Sequence, residues 1–175
     1  DSYEKYTDFV ANLIDSNAIT DPRQIWWKVR PNMSLGTVEL RVCDAQRSLD
    51  NVKMITAISQ ALIHRCYQDF LEEKNCPNPS LIYLNDALWK AARFDFDSLI
   101  YDDIENKSIT IKEHVQELLN YIAHSLHFFN TESIEDIVRS ILQDGTEGDK
   151  QLEIYKSKGM SGLKEFLIND VDYSI

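Results

Sequence analysis

Apolar positions along the chain recur at two periods, and the change of period divides it into elements. Residues 2–16 repeat at helical spacing, with Phe9, Val10, Leu13 and Ile14 on one face. Asp21-Pro22 opens a turn, and Ile25 to Arg30 is β-prone and stopped by Pro31. From Thr37 to Asp44 the period is two: Val38, Leu40 and Val42 point one way, Thr37, Glu39, Arg41 and Cys43 the other. Helical spacing returns after Ser48, a good N-cap residue, with Val52, Ile55, Ser59, Leu62, Ile63, Cys66 and Phe70 in a stripe that reaches about Lys74. Asn75 to Pro79 is a break, and residues 80–94 form another helix with Tyr83, Ala87, Ala91 and Phe94 on one side. Residues 97–110 hold short β-like runs among Asp and Asn turns. Ile111 to Phe129 carries the clearest stripe, and Thr131 caps a helix that runs to about Gln143. Asp144 to Asp149 reads as a flexible loop. Two short helices follow, Gln151–Lys158 and Ser161–Asn169, separated by Gly159.

This pattern is α+β and helix-rich, with a β-hairpin near the start. A two-stranded hairpin is marginal by itself. Its edges should therefore pair with the 97–110 region or with strands outside the chain. If Arg30 pairs with Thr37, then Lys28 faces Glu39 and Trp26 faces Arg41, and all of these groups share one face. A carboxylate and a guanidinium two residues apart on a strand are separated by about 7 Å at the backbone. That spacing disfavours a tight salt bridge within the strand and suits two groups that hold a cation and a phosphate between them.

Charge sharpens the picture. The 175 residues carry a net charge of −11, which disfavours a broad nucleic-acid surface. Between Arg23 and Lys53, however, six basic residues stand against three acidic ones, a local island suited to a small anion. Three cysteines are too few for a disulfide scaffold and fit a reducing compartment. With no bilayer-length apolar run and no signal-peptide pattern, the expectation is a cytoplasmic protein with no membrane partner. The chain opens at Asp1 already inside an amphipathic helix, so residues 1–175 read as one domain or as a fragment of something longer.

Other motifs are bland. His124 and His127 have a metal-clamping spacing but lie opposite the apolar stripe of their helix, as exposed histidines do. The Asp144–Asp149 stretch lacks the alternating ligands of a calcium loop. Cys43 reads as a buried thiol rather than a nucleophile. Arg93, near the end of its helix, reads equally as an ion-pair partner and as an anion contact.

The run Ile25-Trp26-Trp27-Lys28-Val29-Arg30-Pro31, followed by Gly36-Thr37-Val38-Glu39-Leu40-Arg41-Val42-Cys43-Asp44, resembles the carboxylate–amine ligases of the glutamate–cysteine ligase type 2 family. The likeness continues through Leu49-Asp50, Trp89-Lys90-Ala91-Ala92-Arg93-Phe94, Asp144-Gly145-Thr146 and Gln151 to Tyr155. It covers nearly the whole chain but corresponds to the C-terminal half of a family member. The resemblance implies a glutamine-synthetase-like fold, a curved antiparallel sheet backed by helices. It implies ATP and Mg²⁺, a carboxylate and an amine as substrates, and an acyl-phosphate intermediate. It assigns Glu39 to the metal and Arg41 to the transferred phosphoryl group, with Arg30 and Arg93 as further anion contacts. It implies the N-terminal half of the same protein as a partner and is compatible with a homodimer. The chain departs from the family pattern at Lys28, where many members have Asp, at Asn32 (Ser) and at Asp95 (Gly). A non-catalytic module, truncated or diverged, that binds a partner through its sheet edge is the rival reading.

Overall fold

The structure is a computed structural model and describes residues 2–169. The chain falls into two compact units, Asp1–Ala45 and Gln46–Ile175.

The first unit begins with α1 (Tyr3–Asp15), capped by the Ser2 side chain, which accepts from the Lys5 N–H at 3.3 Å. Val10 on α1 and Ile25 are its buried residues. Trp27 lays its ring against Phe9 (5.5 Å between centroids) and Tyr6 (5.8 Å), whereas Trp26 is exposed. A 3-10 turn at Pro22–Gln24 is closed by a capping box: Asp21 accepts from the Arg23 N–H, and Gln24 accepts from the Asp21 N–H. Strands β1 (Val29–Asn32) and β2 (Thr37–Leu40) then form an antiparallel hairpin.

The expected polar face survives in this hairpin, but its register differs by two residues. Arg30 stands opposite Glu39, and Asn32 opposite Thr37. A two-residue slip preserves the face of every side chain, whereas a slip of one would have inverted it. The turn sets the register: Asn32 Oδ1 accepts from the N–H groups of Ser34 and Leu35, and Gly36 takes a φ of 62°, so the reversal is made within Asn32–Thr37. Pro31 therefore lies inside β1 rather than ending it. The Arg41 N–H donates to the Lys28 carbonyl at 2.7 Å, and alternation along the ladder puts the Pro31–Val38 pair at a non-hydrogen-bonded position. The missing proline N–H costs no bond between these two strands there. The Pro31 carbonyl, directed away from β2, accepts from the Tyr6 hydroxyl at 3.2 Å.

The second unit is built on α2 (Leu49–Leu71), α4 (Ile111–Phe128) and α5 (Ile134–Asp144). Their core comprises Ala57 and Ala61 of α2, Leu119, Ile122 and Leu126 of α4, and Ile134 and Val138 of α5. The expected stripe on α2 is largely the outward one. Val52, Ile63 and Phe70 are exposed, and Leu62 of that stripe packs together with Met54, Ala57, Ile58 and Ala61. Helix α2 is apolar on two sides, and the side with alanines is buried because it lets the α4 backbone come close. Ser125, fully buried on α4, bonds to His64 Nδ1 at 2.9 Å, and the His64 ring stacks on Phe128.

Helix α3 (Leu81–Arg93) leads into a second hairpin, β3 (Leu99–Asp102) with β4 (Lys107–Thr110). The 97–110 region thus pairs with itself and not with the first hairpin, and among the described residues each sheet has two strands. Ile100, Ile109 and Ile111 form a small core with Ala87, Phe96 and Val115, and Val115 also packs on the larger core. Thr110 and Glu113 form the capping box that starts α4.

The expected loop at Asp144–Asp149 is a tight joint. Gly145 turns the chain at φ 86°, and Thr146 and Asp149 cap the next helix reciprocally, Asp149 accepting at 2.7 Å. That helix, α6 (Glu147–Asn169), is broken at Gly159, where φ is 65°, as its glycine predicts. Ser133 rather than Thr131 occupies the cap of α5, and Ser48 caps α2 without a side-chain bond. Arg47 holds the start of α2 to α6: it pairs with Glu147 at 2.5 Å, donates to the Phe166 carbonyl at 2.8 Å, and lies 3.7 Å over the Phe166 ring. Among the described residues, no helix is long and apolar enough to cross a membrane.

Ile122 is fully buried where the three helices meet. Ile122→Ala is expected to destabilise the chain by about 2–5 kcal/mol, measured as a lower urea midpoint with an unchanged slope.

Candidate functional site

The polar face of the first hairpin gathers three of the four residues singled out from the sequence. Glu39 is the centre. Its Oε2 accepts from Arg30 Nη2 at 2.7 Å across the strands and from Arg41 Nη1 at 3.2 Å along its own strand. The expectation that Glu39 and Arg41 are too far apart to pair is corrected here. The backbone spacing is that of a strand, but an arginine arm is long enough to fold back over two residues. Glu39 bridges a buried and an open guanidinium: the Arg30 side chain is 11% exposed and that of Arg41 35%. Arg30 also donates to the Arg23 carbonyl at 2.8 Å, so its guanidinium is directed into the chain. Arg41 points outward. Both contacts fall on Oε2 of Glu39 and leave Oε1 without either.

Arg30 lines a concavity of about 350 Å³ with Asp21, Arg23, Pro31, Asn32 and Met33. Its rim is charged. Arg23 grips Asp21 through its side chain and backbone N–H, which hold the Asp21 carboxyl well below the usual carboxylate range, at about 2. The basic island inferred from the sequence is thereby largely matched by local acids: Arg23 with Asp21, Arg30 and Arg41 with Glu39, Arg47 with Glu147, Lys53 with Asp50.

Arg93 belongs to the other unit. It is the last residue of α3, exposed, with its guanidinium 5.6 Å from the Phe94 ring centroid. Cys43 is exposed, not buried, because β2 ends at Leu40 and the chain beyond it is irregular. His124 and His127 are exposed as expected, and His127 faces Glu132 at 2.5 Å.

A larger cavity of about 510 Å³ lies in the second unit, walled by Tyr83, Tyr101, His114 and Tyr121 and containing none of the predicted site residues. Several of its polar groups are engaged within the chain. Asp103 accepts from the Ser80 N–H, Lys107 pairs with Glu117, and the Tyr121 hydroxyl donates to Asp69 at 2.6 Å. Burial, then that bond, raises the Tyr121 hydroxyl; the same bond, with Lys74 and Arg65 behind it, lowers Asp69. The sequence carried no signal for this pair, 52 residues apart.

Among the described residues, no three His, Cys, Asp or Glu side chains gather as a metal-ligand set. Magnesium takes near-octahedral hard oxygen ligands. The hairpin offers one carboxylate flanked by two cations, so these residues alone do not form a magnesium site.

Residues 1–166 match glutamate–cysteine ligase family 2. The chain belongs to that family. Among curated relatives, each named "putative glutamate–cysteine ligase 2", the protein of Sorangium cellulosum is 28% identical over 169 residues, covering 96% of this chain and 45% of its own length. The Solibacter usitatus protein is 23% identical over 175 residues, 99% of this chain and 46% of its own. The Thermobifida fusca protein is 28% identical over 159 residues, 91% and 39%. The family member described here thus spans less than half the length of these relatives.

The Asp21 carboxyl, depressed in the folded chain, contributes stability that is present above the ordinary Asp value and lost as pH falls through about 2. Carboxyl NMR titration is expected to place its midpoint near 2, and Arg23→Gln to return it toward the ordinary range.

Proposed function

We propose that this chain supplies part of the site of an ATP-dependent carboxylate–amine ligase. The observation that carries the reading is the Arg30–Glu39–Arg41 arrangement on one strand face, in a chain that belongs to a glutamate–cysteine ligase family. In the proposed reaction an oxygen of the substrate carboxylate, that of glutamate in the family's name, attacks the terminal phosphorus of ATP. ADP leaves and an acyl phosphate forms. The amine then attacks the acyl carbon, the amide bond forms and phosphate departs.

Arg41 is the residue we assign to the transferred phosphoryl group. Its guanidinium is half-open to solvent, and its fork matches two phosphoryl oxygens. A cation fixed at that point stabilises charge that grows in the transition state. Glu39 holds Arg41 in place from Oε2, and Arg30, anchored on the Arg23 carbonyl, holds Glu39. Arg93 is a second anion contact, for a substrate carboxylate or phosphate. Magnesium, when bound with the nucleotide, neutralises phosphate charge. Glu39 Oε1 is the carboxylate oxygen the hairpin could give it, and the remaining ligands would come from phosphates and from other residues. Lys28, where many members have Asp, puts a cation on this face and favours an anionic rather than a cationic substrate group.

The rival reading is a non-catalytic relative that binds a partner through its sheet edge. Turnover separates the two. With the full gene product, glutamate and a panel of amines, ADP release is expected to fall about hundredfold or more in Arg41→Gln. Glu39→Gln is expected to lower it as well, because the carboxylate that holds the Arg41 guanidinium is lost. An Arg41→Gln enzyme with wild-type turnover overturns the phosphoryl role; absence of ADP release from the wild type with every amine favours the binding module.

A further inference from the structure

Three elements of the second unit meet around its cavity of about 510 Å³, a volume in the range of small-molecule sites. On α4, His114, Glu117 and Tyr121 are spaced i, i+3 and i+7 and so share one helix face. Tyr83 comes from α3; Tyr101 and the turn from Asp102 to Lys107 come from the second hairpin. The wall is aromatic and fixed in place. The Tyr83 and Tyr101 rings are 4.9 Å apart and inclined at 48°. The Tyr101 hydroxyl donates to Asn106 and the Tyr121 hydroxyl to Asp69, two residues that do not line the cavity. The rings are thereby held from behind, and their faces are left to a ligand. A tyrosine face attracts a cation.

Charge has the same bias. Asp102, Asp103, Glu105 and Glu117 line the cavity against one ammonium, that of Lys107, which Glu117 holds at 3.0 Å. The bonds that Asp103 and Asp102 accept come from the backbone N–H groups of Ser80, Ile104 and Glu105, which bring no positive charge. A metal ion needs oxygens that converge on one point, and among the described residues no three acidic, His or Cys side chains do so. Negative charge spread along an aromatic wall matches a cation whose own charge is spread along an apolar chain. We infer that this cavity binds an aliphatic polyamine, with its methylenes against the tyrosine rings and its ammonium groups at Glu117 and the carboxylates of the Asp102–Glu105 turn.

The cavity contains none of the residues assigned to ligation, and its test needs neither nucleotide nor turnover. Titration calorimetry of the full gene product with spermidine as the probe, without nucleotide, is expected to show one saturable site. Tyr83→Leu keeps an apolar side chain but removes the ring, and is expected to weaken binding about threefold or more. Glu105→Gln, a change on an exposed turn, is expected to weaken it about threefold. Glu153→Gln removes the same charge from an exposed position on α6 that does not line the cavity, and is expected to leave affinity within about 1.5-fold. Equal loss in Glu105→Gln and Glu153→Gln makes the binding a property of the acidic surface at large and overturns the inference. Absence of saturable binding overturns it, as does unchanged affinity in Tyr83→Leu. Magnesium that displaces spermidine at equal concentration assigns the carboxylates to a metal ion and also overturns it.

Discussion

Ala57 and Ala61 set how closely α2 and α4 approach, and the second unit is arranged around that closeness. Two small side chains leave room for Ile122 and Leu126 to seat against α2, and α5 closes the cluster with Ile134 and Val138. Larger residues there would separate the helices and open the Ser125–His64 bond, whose buried hydroxyl would then have no partner to replace it. Val115 carries the packing onward to the isoleucine cluster of the second hairpin. Arg47 ties the start of α2 to α6 by charge, backbone and ring at once, so the closing helix is fixed to the same frame.

The first unit is organised by charge rather than volume. Its buried apolar residues are few, and the hairpin is held across its polar face by one carboxylate shared between two guanidiniums. Such sharing is asymmetric. Arg30, mostly buried and bonded to a carbonyl, is fixed and fixes Glu39; Arg41 is held by a single contact and remains open outward. The arrangement leaves one guanidinium positioned by a carboxylate and open to solvent.

Much of this was legible in the sequence where periodicity and local chemistry agree. The alternation from Thr37 to Leu40, the stripe from Ile111 to Leu126 and the break at Gly159 each follow from one rule acting locally. The misreadings share a different cause. On α2 two apolar faces compete, and only the presence of α4 decides that the alanine face is buried. At Asp144–Asp149 the same Gly and Asp residues that suggest a mobile loop build a two-residue joint, because Thr146 and Asp149 cap each other. The shared face of Glu39, Arg30 and Arg41 was readable from parity, whereas their pairing was not, because register and side-chain reach lie outside any period-two pattern.

Pro31 carries a consequence for how the first sheet could grow. At a non-hydrogen-bonded position the backbone groups of a strand residue face away from its partner, toward the open edge. On the β1 edge, Pro31 has no donor to present, and its carbonyl is already occupied by the Tyr6 hydroxyl. Opposite it, Val38 directs both its N–H and its carbonyl outward from β2. The two margins of the sheet are therefore unequal: one is sealed midway along its length, and the other retains a full set of donors and acceptors. Additional strands would be recruited from the β2 side, giving the sheet a single direction of growth.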